Sequence, residues 1–325
     1  MRAGLAAQRV TAMNTAREPG LQALERRAAA AYLRACRADV MHAKPGNVSR
    51  AAPAHGMTAQ DFLRSARVSA APMCDLALGV GERVLEAVRA THEAVGCNTN
   101  LGIVLLCAPL LLAWQRASRA GTLRDALRER LRELDVHDAR CAFEAIVLAA
   151  PAGLAGSARH DVREPARVSL LQAMREAASR DLVAAQYAND YADVFELGLP
   201  ALREARARWG CEAGAVAGTY LEFLCAHVDS HVARKHGLTR ARELVQRARQ
   251  CRRAVADCAD WQQAQGPLGT LDRDCRQRGI NPGTSADLTV AALLAERLGA
   301  GVRPAAGAMP GSRQGEASID DESMG

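Results

Sequence analysis

Apolar residues recur every three to four positions along most of the chain, which is the spacing of one face of an α-helix. Residues 21–37 are typical, with apolar side chains at 21, 24, 28, 32 and 35. No stretch alternates apolar and polar residues as a half-buried strand does. The pattern predicts an all-α protein, a single multi-helix domain whose loops carry the polar motifs.

The same spacing predicts ten further helices. They are expected over residues 59–88 (one or two helices, with Pro72 as a kink or break), 101–117, 123–134, 139–150, 169–196, 200–209, 212–235, 239–264, 268–278 and 285–298. We expect residues 21–302 to form the domain. Residues 1–20 and 303–325 are expected to be flexible tails.

Composition agrees with a helical core. Hydrophobic residues make up 49% of the 325 residues and aromatic residues only 3%, so the core must be built from Ala, Leu and Val.

The longest apolar stretch, residues 101–113, is too short to cross a bilayer, which takes about 20 residues. The chain starts without the apolar segment of a signal peptide. Its ten cysteines form no CxxC pair, so we expect free thiols in a reducing cytoplasm.

The formal net charge of +6 suits an anionic ligand and is too small to require nucleic acid. Only two of the 42 basic residues are lysine, Lys44 and Lys235. Both lie in segments that break the Ala/Leu/Arg pattern, which makes those segments candidates for chemistry.

The first such segment contains Lys44, Gly46 and Asn47, followed by His55. A lysine in a rigid Pro-Gly turn can bind phosphate, because the ammonium supplies charge and the glycine lets an oxyanion approach the backbone. An ordinary surface turn is the alternative.

The second segment places Asn98, Thr99 and Asn100 before the most apolar helix. One of them is needed as the N-cap. The others could hold a ribose or phosphate at the positive end of the helix. Capping alone is the alternative.

The third segment, Asp229, His231, Arg234 and Lys235, lies at the end of the helix predicted over residues 212–235. Basic residues before a glycine are also typical of a plain helix C-terminus.

The fourth segment contains Asn281, Gly283, Thr284, Ser285 and Asp287 and begins the last helix. Free amides there suit a phosphate, and Asp287 could hold Mg²⁺. A plain N-cap is the alternative.

A fifth feature lies within residues 169–196. Asp190 and Asp193 are three residues apart, on one face of the predicted helix, and Tyr187 and Tyr191 flank them. A solvated face is the usual explanation of such carboxylates. The tyrosines, in a chain so poor in aromatic residues, favour the wall of a site.

Taken in order, these segments resemble the triphosphoribosyl-dephospho-CoA synthase family. The features are the Lys-Pro-Gly turn with a later His, the Asn-Thr pair before Gly102, the segment from Asp229 to Arg234, and the Pro-Gly-Thr-Ser-Ala-Asp-Leu stretch that ends at Leu288. The resemblance extends over about residues 25 to 300.

The resemblance implies an all-α transferase. Family members use ATP as a ribosyl donor and displace adenine with the 2′-hydroxyl of 3′-dephospho-CoA, so that the triphosphate is retained. The roles that follow are phosphate contacts for Lys44, Arg234 and Lys235, Mg²⁺ ligation for Asp190 and Asp287, and base catalysis by Asp229 or His231. Orientation of ribose or base is expected of three residues: Asn98, Thr99 and Asn281.

The sequence departs from the family at one motif. Typical members read Asn-Thr-His-Lys-Gly where this chain has Asn-Thr-Asn100-Leu101-Gly102. The chain also resembles a branch found in archaea and in bacteria that use tetrahydromethanopterin. Ribosyl transfer in the biosynthesis of a one-carbon carrier cofactor is therefore an alternative.

A helical nucleic-acid-binding protein is a second alternative, because residues 240–253 are rich in arginine. Few aromatic residues are present to stack on bases, which makes this function less favoured. Expected partners are thus ATP and a small-molecule acceptor, without a membrane, and a homodimer is possible.

Overall fold

The structure, a computed structural model, describes residues 19–54, 56–117, 121–150 and 161–300. Within these ranges there are fourteen α-helices, one π-helical segment and no strand. The helices are α1 (Pro19–Met41), α2 (Ala59–Cys74), α3 (Val80–Val95), α4 (Leu101–Arg116), α5 (Leu123–Arg132), α6 (Val136–Ala149), α7 (Leu170–Ala177), α8 (Leu182–Ala188), the π-helix (Asp193–Gly198), α9 (Leu199–Trp209), α10 (Glu212–Ala226), α11 (Ser230–His236), α12 (Leu238–Ala256), α13 (Trp261–Gln277) and α14 (Gly283–Ala300). The prediction of an all-α fold is confirmed.

Two helices form the centre of the molecule. Every residue of α4 except Gly102 and Arg116 is buried, because a helix that is apolar on all sides must be surrounded. The helices α1, α2, α3, α5 and α14 pack around it. The second central helix, α14, packs against α1, α4, α10 and the π-helix.

Pro109 lies inside α4 and cannot donate the hydrogen bond that Leu105 O would otherwise accept. The hydroxyl of Tyr187 donates to that carbonyl at 2.6 Å, and Tyr191 donates to Leu106 O at 3.1 Å. Both tyrosines are fully buried. Their hydroxyls serve as hydrogen-bond donors to two backbone carbonyls inside α4, so the prediction that these tyrosines form the wall of a site is wrong.

The apolar residues form two clusters, one around α4 and α14 and one among α10, α11, α12 and α13. Ala286 belongs to the second cluster and Leu288 to the first. The first turn of α14 therefore lies where the two clusters meet.

Three predicted helices are broken in the structure, each at an aspartate. Residues 169–196, 212–235 and 239–264 are interrupted before Asp181, Asp229 and Asp260, whose side chains cap α8, α11 and α13. An aspartate carboxylate offers backbone N–H groups a local acceptor and so begins a new helix within an unbroken apolar pattern. By contrast, the predicted break at Pro72 is confirmed, because α2 ends two residues after it.

Asp190 and Asp193 do not share a helix face, which corrects the prediction. Asp190 and Tyr191 have left-handed backbone conformations, with φ of 53° and 57°. Asp193 begins the π-helix beyond this break.

Two further predictions concern the ends of the chain and membranes. Residues 1–18 and 301–325 lie outside the described residues. No described helix combines the length and apolarity that a membrane span requires.

Candidate active site

The turn before α14 and the first turn of that helix lie at the centre of the candidate site. Asn281 is buried there, as are Thr284 and Ser285, and Gly283 is half-buried. Each of the other three polar segments contacts this region through a different residue, although they are far apart in sequence.

The lysine turn packs directly against the turn before α14. Asn47 donates to Asn281 Oδ1 at 2.8 Å. Gly46 has a φ of 78°, and a Cβ there would lie 2.7 Å from Cys275 Cβ and 2.8 Å from Ile280 O. Only glycine allows both this backbone conformation and this close approach.

Lys44 is buried, and its ammonium does not reach the surface of the site. Its Nζ lies 3.1 Å from Asp39 Oδ1 and 2.5 Å from the Asp39 carbonyl oxygen. Burial raises the pKa of the Asp39 carboxyl, and the charge of Lys44 opposes that shift. Lys44 thus stabilises a buried carboxylate beneath the site, where sequence analysis predicted a direct phosphate contact. His55, predicted in the same segment, lies outside the described residues.

The three polar residues before α4 have separate roles. Asn98 Oδ1 accepts from Leu101 N at 3.1 Å and caps the helix. Thr99 is hydrogen-bonded to Ser65 Oγ at 2.6 Å, and Asn100 donates to Thr91 Oγ1 at 3.1 Å. Thr99 and Asn100 are both buried. They therefore join α4 to α2 and α3.

Gly102 supplies the contact between α4 and the candidate site. A Cβ at this position would lie 2.0 Å from Asp287 Oδ2 and 2.5 Å from Asp287 Cγ. The carboxylate of Asp287 therefore occupies the space that any larger residue at position 102 would fill.

Asp229 joins the first turns of α11 and α14. Its Oδ1 accepts from Val232 N at 3.0 Å, and its Oδ2 accepts from both the amide and the hydroxyl of Ser285 at 2.8 Å. Asp229 is 1% exposed, and burial raises its pKa. Both oxygens are engaged, so the observed role of this residue is to cap two helices.

His231 lies beside the same turn and is half-buried. Its backbone amide donates to Thr284 Oγ1 at 3.2 Å. A Cβ on Gly283 would lie 3.6 Å from the His231 ring. The imidazole therefore borders the first residue of α14.

Asp287 is half-buried. Its pKa is raised well above the ordinary value, first by burial and then by the negative charges of Asp39, Asp229 and Asp181, while Arg234 acts in the opposite sense. Carboxylates crowded in this way favour a bound cation. The negative charge of these carboxylates is thus of the right sign for Mg²⁺ to bind at Asp287.

No group of three or more His, Cys, Asp or Glu side chains in the described part of the chain could hold a metal ion. Mg²⁺ in phosphate sites is commonly bound through one or two carboxylates, with substrate oxygens and water completing the shell. A single carboxylate such as Asp287 fits a cation whose other ligands are phosphate oxygens and water, rather than a cation coordinated by protein side chains alone.

Three predicted residues lie at the edge of the site or away from it. Arg234 is exposed and forms an ion pair with Asp181, and Lys235 is exposed. Asp190 pairs with Arg128 at 2.9 Å on α5. The charges that act most strongly on Asp287 do not include Asp190, so the two predicted metal ligands are not brought together.

Sequence analysis missed Asp39 and Asp181, whose charges reach Asp287. A signal for Asp39 was present, because the apolar positions 28, 32 and 35 continue to position 39 at helical spacing. An aspartate on the buried face of a helix is rare unless it is paired. Asp181 had no comparable signal, because it lies where the helical pattern appeared continuous.

Comparisons with known proteins place the chain among the transferases. The model of the ATP:dephospho-CoA triphosphoribosyl transferase family matches residues 25–304. The chain therefore belongs to this family, as its motifs predicted, and the family's substrates are ATP and dephospho-CoA.

A solved structure agrees with this assignment. The chain is similar to a protein from Archaeoglobus fulgidus whose crystal structure bears the provisional name triphosphoribosyl-dephospho-CoA synthase. The two are 26% identical, the match covers 73% of this chain and 99% of that chain, and the TM-score is 0.59. No curated protein matches the sequence.

Neither comparison supports the two alternative functions. In addition, Arg247 and Arg252 in the arginine-rich helix α12 pair with Asp274 and Glu222. These arginines are therefore already engaged within the protein, which weakens the case for a nucleic-acid surface.

Proposed function

We propose that the chain transfers the triphosphoribosyl group of Mg-ATP to the 2′-hydroxyl of 3′-dephospho-CoA at the first turn of α14. One observation carries this proposal. Gly102 of the Asn-Thr motif leaves room for Asp287 of the Pro-Gly-Thr-Ser-Ala-Asp-Leu motif, so two family motifs meet at one half-buried carboxyl group.

The reaction exchanges one bond at the ribose for another. The bond from ribose C1′ to adenine N9 breaks, and a bond from C1′ to the acceptor oxygen forms. The acceptor hydroxyl loses a proton, the departing adenine takes one up, and the triphosphate stays on the ribose. The protein must therefore hold the triphosphate, orient the ribose and accept a proton.

The triphosphate is expected to lie at the first turn of α14. The positive end of the α14 dipole favours anions, and the amide of Ser285 at this end is already bound to Asp229. Arg234 and Lys235 are the exposed cations on the neighbouring helix α11. Mg²⁺ bound with ATP would supply positive charge between the phosphates and the carboxylate of Asp287.

We assign the proton acceptor to His231 rather than Asp229. Both oxygens of Asp229 are engaged in capping. The imidazole of His231 borders Gly283 and is accessible, and histidine can exchange a proton near neutral pH. Asn281, held by Asn47, is placed to orient the ribose.

The test is incubation with Mg-ATP and 3′-dephospho-CoA, followed by mass spectrometry. We expect free adenine and an acceptor whose mass is increased by one triphosphoribosyl group. Adenine without this adduct would exclude dephospho-CoA as acceptor, and the absence of adenine would refute the donor chemistry as well.

The role of His231 has its own test. His231→Asn is expected to lower the rate of adenine release by about 10²-fold or more, the usual contribution of a general base. His92→Asn, on the exposed face of α3, is the control and should leave the rate unchanged. An equal rate in the two variants would reject His231 as the base.

A cytoplasmic location and a homodimer remain predictions. All ten cysteines are free, and seven of them are buried. This supports a reducing compartment.

A further inference from the structure

A recess lies at the opposite end of the α1–α14 pair from the candidate active site. It has a volume of about 380 Å³ and is lined by Arg26, Arg27 and Arg34 of α1, Trp114 of α4 and Arg297 of α14. This volume is within the range of small-molecule sites. Asp287 and Arg297 are ten residues apart on α14, which corresponds to about 15 Å along a helix, so the recess is separate from the candidate active site.

Three of the four guanidinium groups of this recess lack a carboxylate partner among the described residues. Arg26, Arg27 and Arg34 form no ion pair with any carboxylate in the described part of the chain. Arg297 pairs with Glu212 at 2.7 Å. Burial lowers the pKa of Arg297, the charges of Glu212 and Glu296 oppose that shift, and the smaller effects of Arg206 and Arg34 add to it. The charge of Arg34 therefore acts on Arg297 across the recess, and an anion bound between them would be attracted by both.

The planar geometry of the guanidinium groups indicates which class of anion the recess would bind. The guanidinium of Arg27 lies 5.4 Å from the centre of the Trp114 ring, a stacked arrangement that fixes its orientation. Guanidinium groups bind phosphate oxygens through two parallel hydrogen bonds. Several such groups around one recess match adjacent phosphates better than a single carboxylate.

We propose that this recess binds an anion with two or more adjacent phosphate groups, either a nucleoside polyphosphate or an inorganic polyphosphate. Arg26 and Arg34 are the exposed groups that contact the phosphates, and Arg27 is held by Trp114 to complete the site. The site does not depend on the proposed reaction, because none of its residues belongs to the active site.

The test is calorimetric titration with inorganic tripolyphosphate and with ATP near physiological salt, where weak surface binding is screened. The full-length protein should bind tripolyphosphate at the recess, and Arg26→Ala/Arg34→Ala should weaken that binding at least tenfold. Arg242→Ala/Arg253→Ala is the control. It removes the same charge from exposed positions on α12 and should leave the binding unchanged.

Adenine release is measured in the same variants, so that the recess and the active site are tested separately. We expect both double variants to release adenine at the rate of the unmodified protein. Similar affinities for ATP and tripolyphosphate would support recognition of the phosphate chain alone, and much tighter binding of ATP would support a nucleotide. Equal weakening in the two double variants, or no binding to the unmodified protein beyond the active site, would overturn the proposal.

Discussion

The contact between Gly102 and Asp287 is the most specific residue-level feature of the candidate site. Alanine is a better helix former than glycine, by up to about 1 kcal/mol in a helix interior. A substitution that should favour α4 is therefore expected to damage the site, because a Cβ at position 102 would lie 2.0 Å from the carboxylate.

We predict that Gly102→Ala lowers the rate of adenine release by at least about 10²-fold, as expected when a positioned group is displaced, and leaves the protein folded. Adenine release and circular dichroism measure the two effects. Gly269→Ala is the matched control, because the nearest atom to its new Cβ would be 3.6 Å away, on the flexible side chain of Arg273. Full activity in Gly102→Ala would show that the position of Asp287 is not critical.

The raised pKa of Asp287 predicts a pH-dependent change in stability. Between its unfolded and folded pKa values, the folded state holds a proton that the unfolded state has lost. The stability it contributes is therefore present at low pH and is lost as pH rises through the folded pKa. Asp287→Asn removes this loss and should raise the free energy of unfolding at neutral pH. The gain should shrink as pH falls toward about 4.

Asp193→Asn is the control, because the pKa of Asp193 is shifted in the opposite direction. Hydrogen bonds from His227 and Gln186 lower the pKa of Asp193, so its stabilising effect is present at neutral pH and is lost in acid. Urea unfolding of both variants from pH 4 to 8 measures the two trends. A loss of stability in Asp287→Asn at neutral pH would contradict the charge crowding inferred at the site.

At the scale of elements, the sequence predicted helices well and their ends poorly. Helical spacing predicts the fold because an all-α core needs an apolar stripe on each helix. The spacing does not mark the breaks at Asp181, Asp229 and Asp260, since apolar residues continue on both sides. The residues of the motifs could be identified from the sequence. The burial of Lys44 could not be predicted, because its partner Asp39 lies outside the motif.

Pro109 lacks the N–H that would bind the Leu105 carbonyl, and the Tyr187 hydroxyl binds it instead. This replacement can be tested directly by mutation. Tyr187→Phe leaves Leu105 O without its donor and should cost about 1–3 kcal/mol of unfolding free energy. Adding Pro109→Ala restores an N–H at position 109 and should recover most of that loss.

A double-mutant cycle measured by urea unfolding gives the coupling between the two positions. Tyr191→Phe is the control, because Leu110 keeps the N–H that pairs with Leu106 O within α4. It should lose less stability and should not couple to position 109. Additive effects of Tyr187→Phe and Pro109→Ala would mean that the hydroxyl does not replace the missing donor.

At the scale of the whole molecule, the candidate site is built from segments that the fold brings together. The lysine turn follows α1, Gly102 belongs to α4, and Asp229 begins α11. All three contact the start of α14 or the turn that precedes it. These segments come from both apolar clusters, so a ligand bound here connects the two clusters and should stabilise the whole fold rather than one helix.

Mg-ATP should therefore raise the unfolding temperature of the entire protein in a single transition. A ligand at 100 times its dissociation constant adds about 2.7 kcal/mol, which for a domain of this size corresponds to a rise of several degrees. ATP with a chelator should give a much smaller rise at this site, because without Mg²⁺ the triphosphate is repelled by the carboxylate of Asp287. Differential scanning fluorimetry of the Arg26→Ala/Arg34→Ala variant, in which the arginine recess no longer contributes, separates these contributions with ATP, Mg-ATP and Mg²⁺ alone. In that background Gly102→Ala should abolish the effect of Mg-ATP. Equal stabilisation by ATP with and without Mg²⁺ would contradict a metal-bridged triphosphate at α14, because the carboxylate charge would then have no influence on binding.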